Sequence, residues 1–304
     1  MGHDVVSVPV PATREITKAL DKKIRASWPT IEELNGCDAI ILNGVEHLAD
    51  WLFHVYGEEW FKVKTRRCGW FHESLIRPDY NIDFAGVARF FDEGFIPNPY
   101  DAEDRKCQWL PIGVDTEMFQ NLDAPKLKDI EIGFIGLFYE KRKKFMDKLI
   151  PHLGDLTITA GHVEVKDLSG VRFKEQTELL AENYRNMEIL LNLPSLSNVL
   201  VMKVLEAMAC GTCVFTPHMS EHMEEMLGFE SGKHLVYYDQ RNPESLAQTL
   251  RLYLDSDDLR EQVARQGCAL VRGKYRIEDR INQMLGVKDG VARHLQSGLA
   301  EQPA

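Results

Sequence analysis

The residues best placed to do chemistry are Lys203 and Glu206, three apart in the stretch 202–216 of a 304-residue chain. That stretch, MKVLEAMACGTCVFT, reads as a short amphipathic helix, a glycine stop and an apolar run suited to a buried strand. Residues three apart share one helix face, so the cation and the carboxylate point the same way. A carboxylate inside an alanine-rich apolar helix is costly unless something partners it. Such a unit also presents the free N–H groups of a helix N-terminus at a parallel-sheet edge, where an anion can sit. On pattern alone, a core helix closed by a capping glycine explains the same residues.

The elements that must position this pair alternate along the chain. Strands are expected at Val5–Pro9, Ala39–Leu42, Arg67–Phe71, Arg89–Pro97 and Gln108–Ile112, with helices around Thr13–Ala26 and Glu46–Tyr56. Later strands are expected near Ile130–Ile135, Leu156–Thr159, Glu188–Leu193, Cys213–Thr216 and His234–Tyr237. The helices between and after them cover roughly 139–150, 174–185, 199–209, 243–254 and 257–271. Strands separated by helix-length segments imply parallel pairing with right-handed crossovers, and ligands then bind at the carboxyl ends of the strands. The literal Asp255-Ser256-Asp257 lacks a preceding strand and reads as a helix end followed by an N-cap.

Hydrophobic residues at 44% and charged residues at 27% are those of a globular protein. A net charge of −11 argues against an extended nucleic-acid surface. No apolar run reaches the roughly 18 residues of a membrane span, and no export signal is evident, so a cytoplasmic location is expected. The six cysteines are scattered, as free thiols in a reducing compartment would be. Cys210-x-x-Cys213 follows its helix rather than preceding one, which favours packing over redox chemistry, and no second pair at zinc spacing accompanies it.

The segment LPSLSNVLVMKVLEAMACGTCVFTP at 193–217 resembles the donor-nucleotide segment of GT-B glycosyltransferases, the family-4-like "glycosyl transferases group 1". WLPIGVDTEMF at 109–119 is similar to the interdomain segment of that group, and IEIGFIGLFYEKR at 130–142 to the first strand and phosphate loop of its second domain. NPESLAQTLRLYLDSDDLREQVARQGCALVRGKYRIEDRI at 242–281 resembles the closing helices. HES at 72–74, the Gly136-to-Arg142 spacing and Lys203-x-x-Glu206 are closest to the spore-maturation-protein-like branch.

The resemblance implies an α/β chain of the GT-B class, two Rossmann-like doubly wound domains facing a central cleft. It places an acceptor-side domain at 1–124, a nucleotide-sugar-binding domain at 125–285 and a tail at 286–304. MGHDVVSV at the start resembles the second strand of such a first domain, which would leave that domain reduced. The implied activity is transfer of a sugar, most simply UDP-linked, to the hydroxyl of an unidentified acceptor, without metal or other cofactor and with retention of configuration. Gly136 would admit the diphosphate, Arg142 and Lys203 would meet its charge, and Glu206 would accept hydrogen bonds from the ribose. Ser197, Asn198, Val199 and Leu200 would form the helix entrance, with Ser197 or Asn198 as a plain N-cap on the other reading. Leu137 stands where relatives often carry arginine, and Asn198 where they carry the first acid of a Glu-x7-Glu pattern. His72, with Glu73 beside it, would act on the acceptor or the transferred sugar; His47 is expected to be structural. Other readings of the same fold are a nucleotide-sugar epimerase and a catalytically inactive binding or scaffold protein.

Overall fold

A computed structural model describes residues 4–5, 28–72, 82–120, 128–161, 170–196 and 199–287. The described residues fall into two units, one within Met1–Leu110 together with Ile281–Ala304 and one within Pro111–Arg280. The 124/125 boundary expected from sequence lies outside the described residues, as do the tail beyond 287, the helix at Thr13–Ala26 and, but for Val5, the strand at Val5–Pro9. The segment around Val114 goes with the second unit: its N–H donates to Tyr275 O (2.8 Å) and its carbonyl accepts from Ile277 N (2.9 Å).

In the first unit, α1 (Ile31–Asn35) precedes β1 (Ile40–Asn43), α2 (Val45–Tyr56), β2 (Arg67–Trp70), α3 (Phe84–Ala88), β3 (Glu93–Ile96), α4 (Pro99–Arg105) and β4 (Gln108–Trp109). The four strands are parallel and lie in the order β1-β2-β3-β4. The strand expected over Arg89–Pro97 starts only at Glu93, because Asp83 caps the short helix α3 and Arg89 closes it. The strand expected over Gln108–Ile112 is likewise cut to two residues. The core gathers Leu42, Val45, Leu52, Trp60, Phe71 and Ile96.

The second unit runs β5 (Ile130–Ile135), α5 (Glu140–Leu153), β6 (Ile158–Gly161), α6 (Gly170–Asn186), β7 (Met187–Leu191), α7 (Met202–Ala209), β8 (Cys213–Pro217), α8 (Glu221–Leu227) and β9 (Val236–Tyr238). Then come α9 (Pro243–Leu254), α10 (Asp257–Lys274) and α11 (Ile277–Leu285), whose residues from Ile281 on belong to the first unit. Its five parallel strands lie in the order β6-β5-β7-β8-β9. The chain steps from β5 to β6 one way and then continues through β7, β8 and β9 the other way. Right-handed crossovers therefore put α5 on one face and α6 and α7 on the opposite one, and the reversal leaves a crevice at the carboxyl ends of β5 and β7. Every residue of β8 is buried, which is why Cys213–Pro217 reads as an unbroken apolar run rather than an alternating one. Helix α5 packs beside α9, and α7 beside α10. Ser256 caps α10 by accepting from Leu259 N, as the sequence implies for Asp255-Ser256-Asp257.

Candidate functional site

The crevice between β5 and β7 gathers residues from three chain segments. Strand β5 ends at Ile135, and Gly136 takes φ +144°, a conformation side-chain-bearing residues rarely adopt. A Cβ at Gly136 would lie 2.7 Å from Lys203 Nζ and 3.4 Å from Arg142 Nη1, so both cations close on the bare glycine. Lys203, in the first turn of α7, donates to Ile135 O (2.6 Å) and lies 4.6 Å from the centroid of the Phe134 ring. Arg142, in the first turn of α5, lies 5.2 Å from the same ring and 4.5 Å from that of Tyr139. It donates through Nη1 to Leu137 O (2.8 Å) and through Nε to Pro194 O (3.2 Å).

Tyr139 OH also donates to Pro194 O (2.9 Å), and Lys141 Nζ to Ser195 O. The loop after β5 and the loop after β7 are thus stitched together by side chains of the first and carbonyls of the second. Among the described residues, no carboxylate comes within ion-pair distance of Lys203 or Arg142. Burial, with the neighbouring Arg142 charge adding to it, brings the Lys203 ammonium down to about 7. Burial likewise lowers the Arg142 guanidinium from its usual value. Two cations at one aromatic ring, hydrogen-bonded to carbonyls only, form a place where an anion is missing.

Glu206 lies one turn along the same face of α7. Its Oε2 accepts from Tyr184 OH (2.9 Å), and Tyr184 is only 1% exposed. Burial raises the carboxyl pKa, while the Tyr184 hydrogen bond and the Lys203 charge pull it back. Oε1 has no hydrogen-bond partner among the described residues. At the ends of β7 and β8, Asn192 Nδ2 donates to Thr216 Oγ1 (2.9 Å) and joins the two strands.

Two expectations are corrected here. Helix α7 begins at Met202, not at 199, because Val201 is extended (φ −115°, ψ 149°) and occupies the N-cap without a side-chain bond. Val199 and Leu200 therefore belong to the approach to the helix, and Ser197 and Asn198 lie outside the described residues. Arg142, expected to meet the diphosphate charge, is buried rather than presented on the surface. It is 7% exposed, its guanidinium engaged by two carbonyls and two rings.

In the first unit, His72 follows the carboxyl end of β2 and is exposed. Its Nε2 lies 2.5 Å from Asn43 Oδ1 at the end of β1, its backbone N–H donates to Glu46 Oε1 (2.9 Å), and its ring meets Trp70 edge-on. Glu73 lies outside the described residues. His47 is in the first turn of α2, its N–H bonded to Gly44 O. The sequence reading missed Asn43, Glu46, Phe134, Tyr139 and Tyr184. The aromatic residues on either side of Gly136 were the signal for two of these; Tyr184 sits mid-pattern in a helix and carried none.

The glycosyl transferase-like family model matches residues 142–286, a little under half of the chain. No curated protein matches. Among solved structures, the chain is similar to the Anabaena protein HepE in complex with UDP, at 12% identity and a TM-score of 0.59, over 92% of this chain and 82% of that one. It is similar to sucrose-phosphate synthase from Thermosynechococcus elongatus at 15% identity and a TM-score of 0.57, over 93% of this chain and 81% of that one. A glycosyltransferase from Rickettsia africae matches at 11% identity and a TM-score of 0.58, over 91% of this chain and 83% of that one. At such identities the likeness is one of fold. Residues 142–286, which carry Arg142, Lys203 and Glu206, thus match a glycosyl transferase-like model within a chain whose fold is that of the GT-B, Rossmann-like structures.

Proposed function

We propose that this protein is a glycosyltransferase that uses a UDP-linked sugar and passes the sugar to an acceptor hydroxyl with retention of configuration. The observation that supports it most is the convergence of Lys203 and Arg142 on the bare backbone of Gly136, with Glu206 one helical turn away. A nucleoside diphosphate offers the complementary pattern: two phosphates for the cations, then a ribose whose hydroxyls donate to a carboxylate. The resemblance to a protein crystallised with UDP favours that nucleotide.

When the bond from the sugar's anomeric carbon to the diphosphate breaks, the electron pair leaves on the phosphate oxygen, and the acceptor oxygen bonds to that carbon on the same face as its proton passes to the departing phosphate oxygen. Charge on the leaving diphosphate grows, so cations fixed beforehand stabilise the transition state more than the ground state. In this reading Lys203 touches the diphosphate directly, whereas Arg142 holds the two loops that shape the site and adds its field. No divalent metal is assigned a role, and activity is expected to survive chelation. His72, with Glu73, is assigned to the acceptor side on the resemblance.

The test is a thermal-shift comparison of UDP, GDP and ADP, followed by assay of UDP release from UDP-sugars. A native-state ligand at 100 times its Kd adds about 2.7 kcal/mol of stability. Preference for UDP together with release of UDP is the expected result; no response to any nucleotide diphosphate overturns it. A second reading, a binding protein without turnover, draws on Leu137, 63% exposed where relatives often carry a cation. UDP binding without UDP release from any sugar donor selects that reading instead.

A further inference from the structure

We infer that Tyr184 is the positioning residue that fixes Glu206 for recognition of a vicinal diol, so that the site selects ribonucleoside over dideoxyribonucleoside diphosphates through a residue that never touches the ligand. The inference rests on the donor reading above and adds to it a specificity device.

Tyr184 lies on α6 and Glu206 on α7, and each is set by its own packing. The Tyr184 ring is buried and meets Phe119 at 6.2 Å between centroids. Its carbonyl accepts from Thr212 Oγ1 (2.6 Å), in the turn between α7 and β8, which ties the end of α6 to the element carrying Glu206. The phenol therefore has a fixed position, and its hydroxyl donates to Glu206 Oε2 at 2.9 Å. Lys203 is on the same face but within no ion-pair distance of Glu206 among the described residues.

An untethered glutamate turns about its last torsion, and freezing that motion on binding costs entropy. Tyr184 removes this cost in the free protein. It occupies one oxygen and leaves Oε1, whose two lone pairs can accept from two adjacent hydroxyls. It also donates to a carboxyl whose pKa burial raises, and that hydrogen bond favours the charged form, the stronger acceptor. Removing the phenol hydroxyl thus releases the torsion and weakens the charge at the same atom. Neither change removes a hydrogen bond from the two cations at Gly136.

The experiment measures the ratio of UDP affinity to 2′,3′-dideoxy-UDP affinity by calorimetry in the wild type, Tyr184→Phe, Glu206→Ala and the double variant. The wild type is expected to favour UDP by about tenfold or more, the scale of hydrogen bonds to a charged group. Tyr184→Phe should cut that ratio severalfold while leaving the affinity for the dideoxy ligand unchanged, which a merely structural lesion would not do. In the Glu206→Ala background, Tyr184→Phe should change the ratio no further. A ratio kept in Tyr184→Phe, or one that falls further in the double variant, overturns the assignment. Glu206→Asp leaves Tyr184 in place and keeps the measurement decisive should Tyr184→Phe not fold. A carboxylate one methylene shorter cannot meet both the phenol and the ligand, so an undiminished ratio there also overturns it. Failure of the wild type to bind either ligand would instead reject the donor reading itself.

Discussion

Cations at the amino ends of the strands and those at the carboxyl ends of β5 and β7 are treated in opposite ways. At the amino ends of β2 and β3, Arg66 forks onto Glu93 (2.7 and 2.8 Å) and Arg67 onto Asp92 (2.6 Å at the closest). At the amino end of β7, Arg260 meets Glu188 at 2.8 Å. At the carboxyl ends of β5 and β7, Lys203 and Arg142 are more deeply buried than Arg66, yet they are bonded only to carbonyls and laid over rings. Burying unpaired charge is the costlier choice, and proteins retain it where a ligand completes the pairing. Topology explains the location. Only the second sheet reverses direction among the described strands, and the reversal opens the space that the first sheet's consecutive order closes.

Removing one arginine from each sheet tests this contrast most strongly. Arg142→Ala strips donors from Leu137 O and Pro194 O and parts two loops, so about 2–4 kcal/mol of unfolding free energy should be lost in urea titrations. Arg66→Ala breaks a half-exposed pair and should cost under about 1 kcal/mol. Similar losses in both would mean that Arg142 is an ordinary structural ion.

Affinity gives the next contrast. Lys203→Met should weaken UDP-glucose binding by about 1.5–3 kcal/mol, as loss of a charged hydrogen bond does. His72→Ala, in the other sheet, should leave that affinity unchanged and act on turnover alone. Equal loss of binding in both variants would remove the distinction between the two strand ends.

Gly136→Ala probes the crevice floor. A methyl at φ +144° would stand 2.7 Å from Lys203 Nζ, so a stability loss of about 1–3 kcal/mol and displacement of the ammonium are expected. A thermal melt unchanged from wild type, with UDP-glucose still bound, would show that the backbone need not approach its ligand there.

The smallest effect is in pH. Lys203, held at about 7 in the free protein, is raised when a diphosphate supplies the missing anion, so binding takes up a proton. Affinity for UDP-glucose, which does not itself titrate in this range, should be greatest below about pH 7. It should fall above that, by no more than about tenfold per pH unit. Calorimetry in buffers of different ionisation enthalpy measures the uptake near pH 7.5, and Lys203→Met should abolish it. A flat profile in the wild type would show the ammonium to be fully charged before the ligand arrives.

Much of the second unit was legible in the sequence because fully buried parallel strands leave continuous apolar runs. Ile130–Ile135 and the helix at 243–254 fall where they were expected. The first unit was less so: Asp83 and Asn98 start short helices through side-chain caps, a signal too local to stand out against periodicity. Only the start of α7 was misplaced, for a related reason. Val201 is extended by its surroundings, and nothing in the apolar text of 199–204 separates the approach from the helix.

Sequence by itself determined which residues carry charge on one helix face, where glycine must end β5, and that strands and helices alternate in parallel units. Local spacing suffices for those, since each depends on neighbours within a turn or a strand. Tertiary structure alone decided that Arg142 is buried and clamps two loops, that Lys203 and Arg142 share Phe134, and that Tyr184 holds Glu206. Each of these joins elements tens of residues apart. Their distances follow from the order of strands in the sheet, and only that order turns a lysine and a glutamate three apart into a site with an anion left to bind.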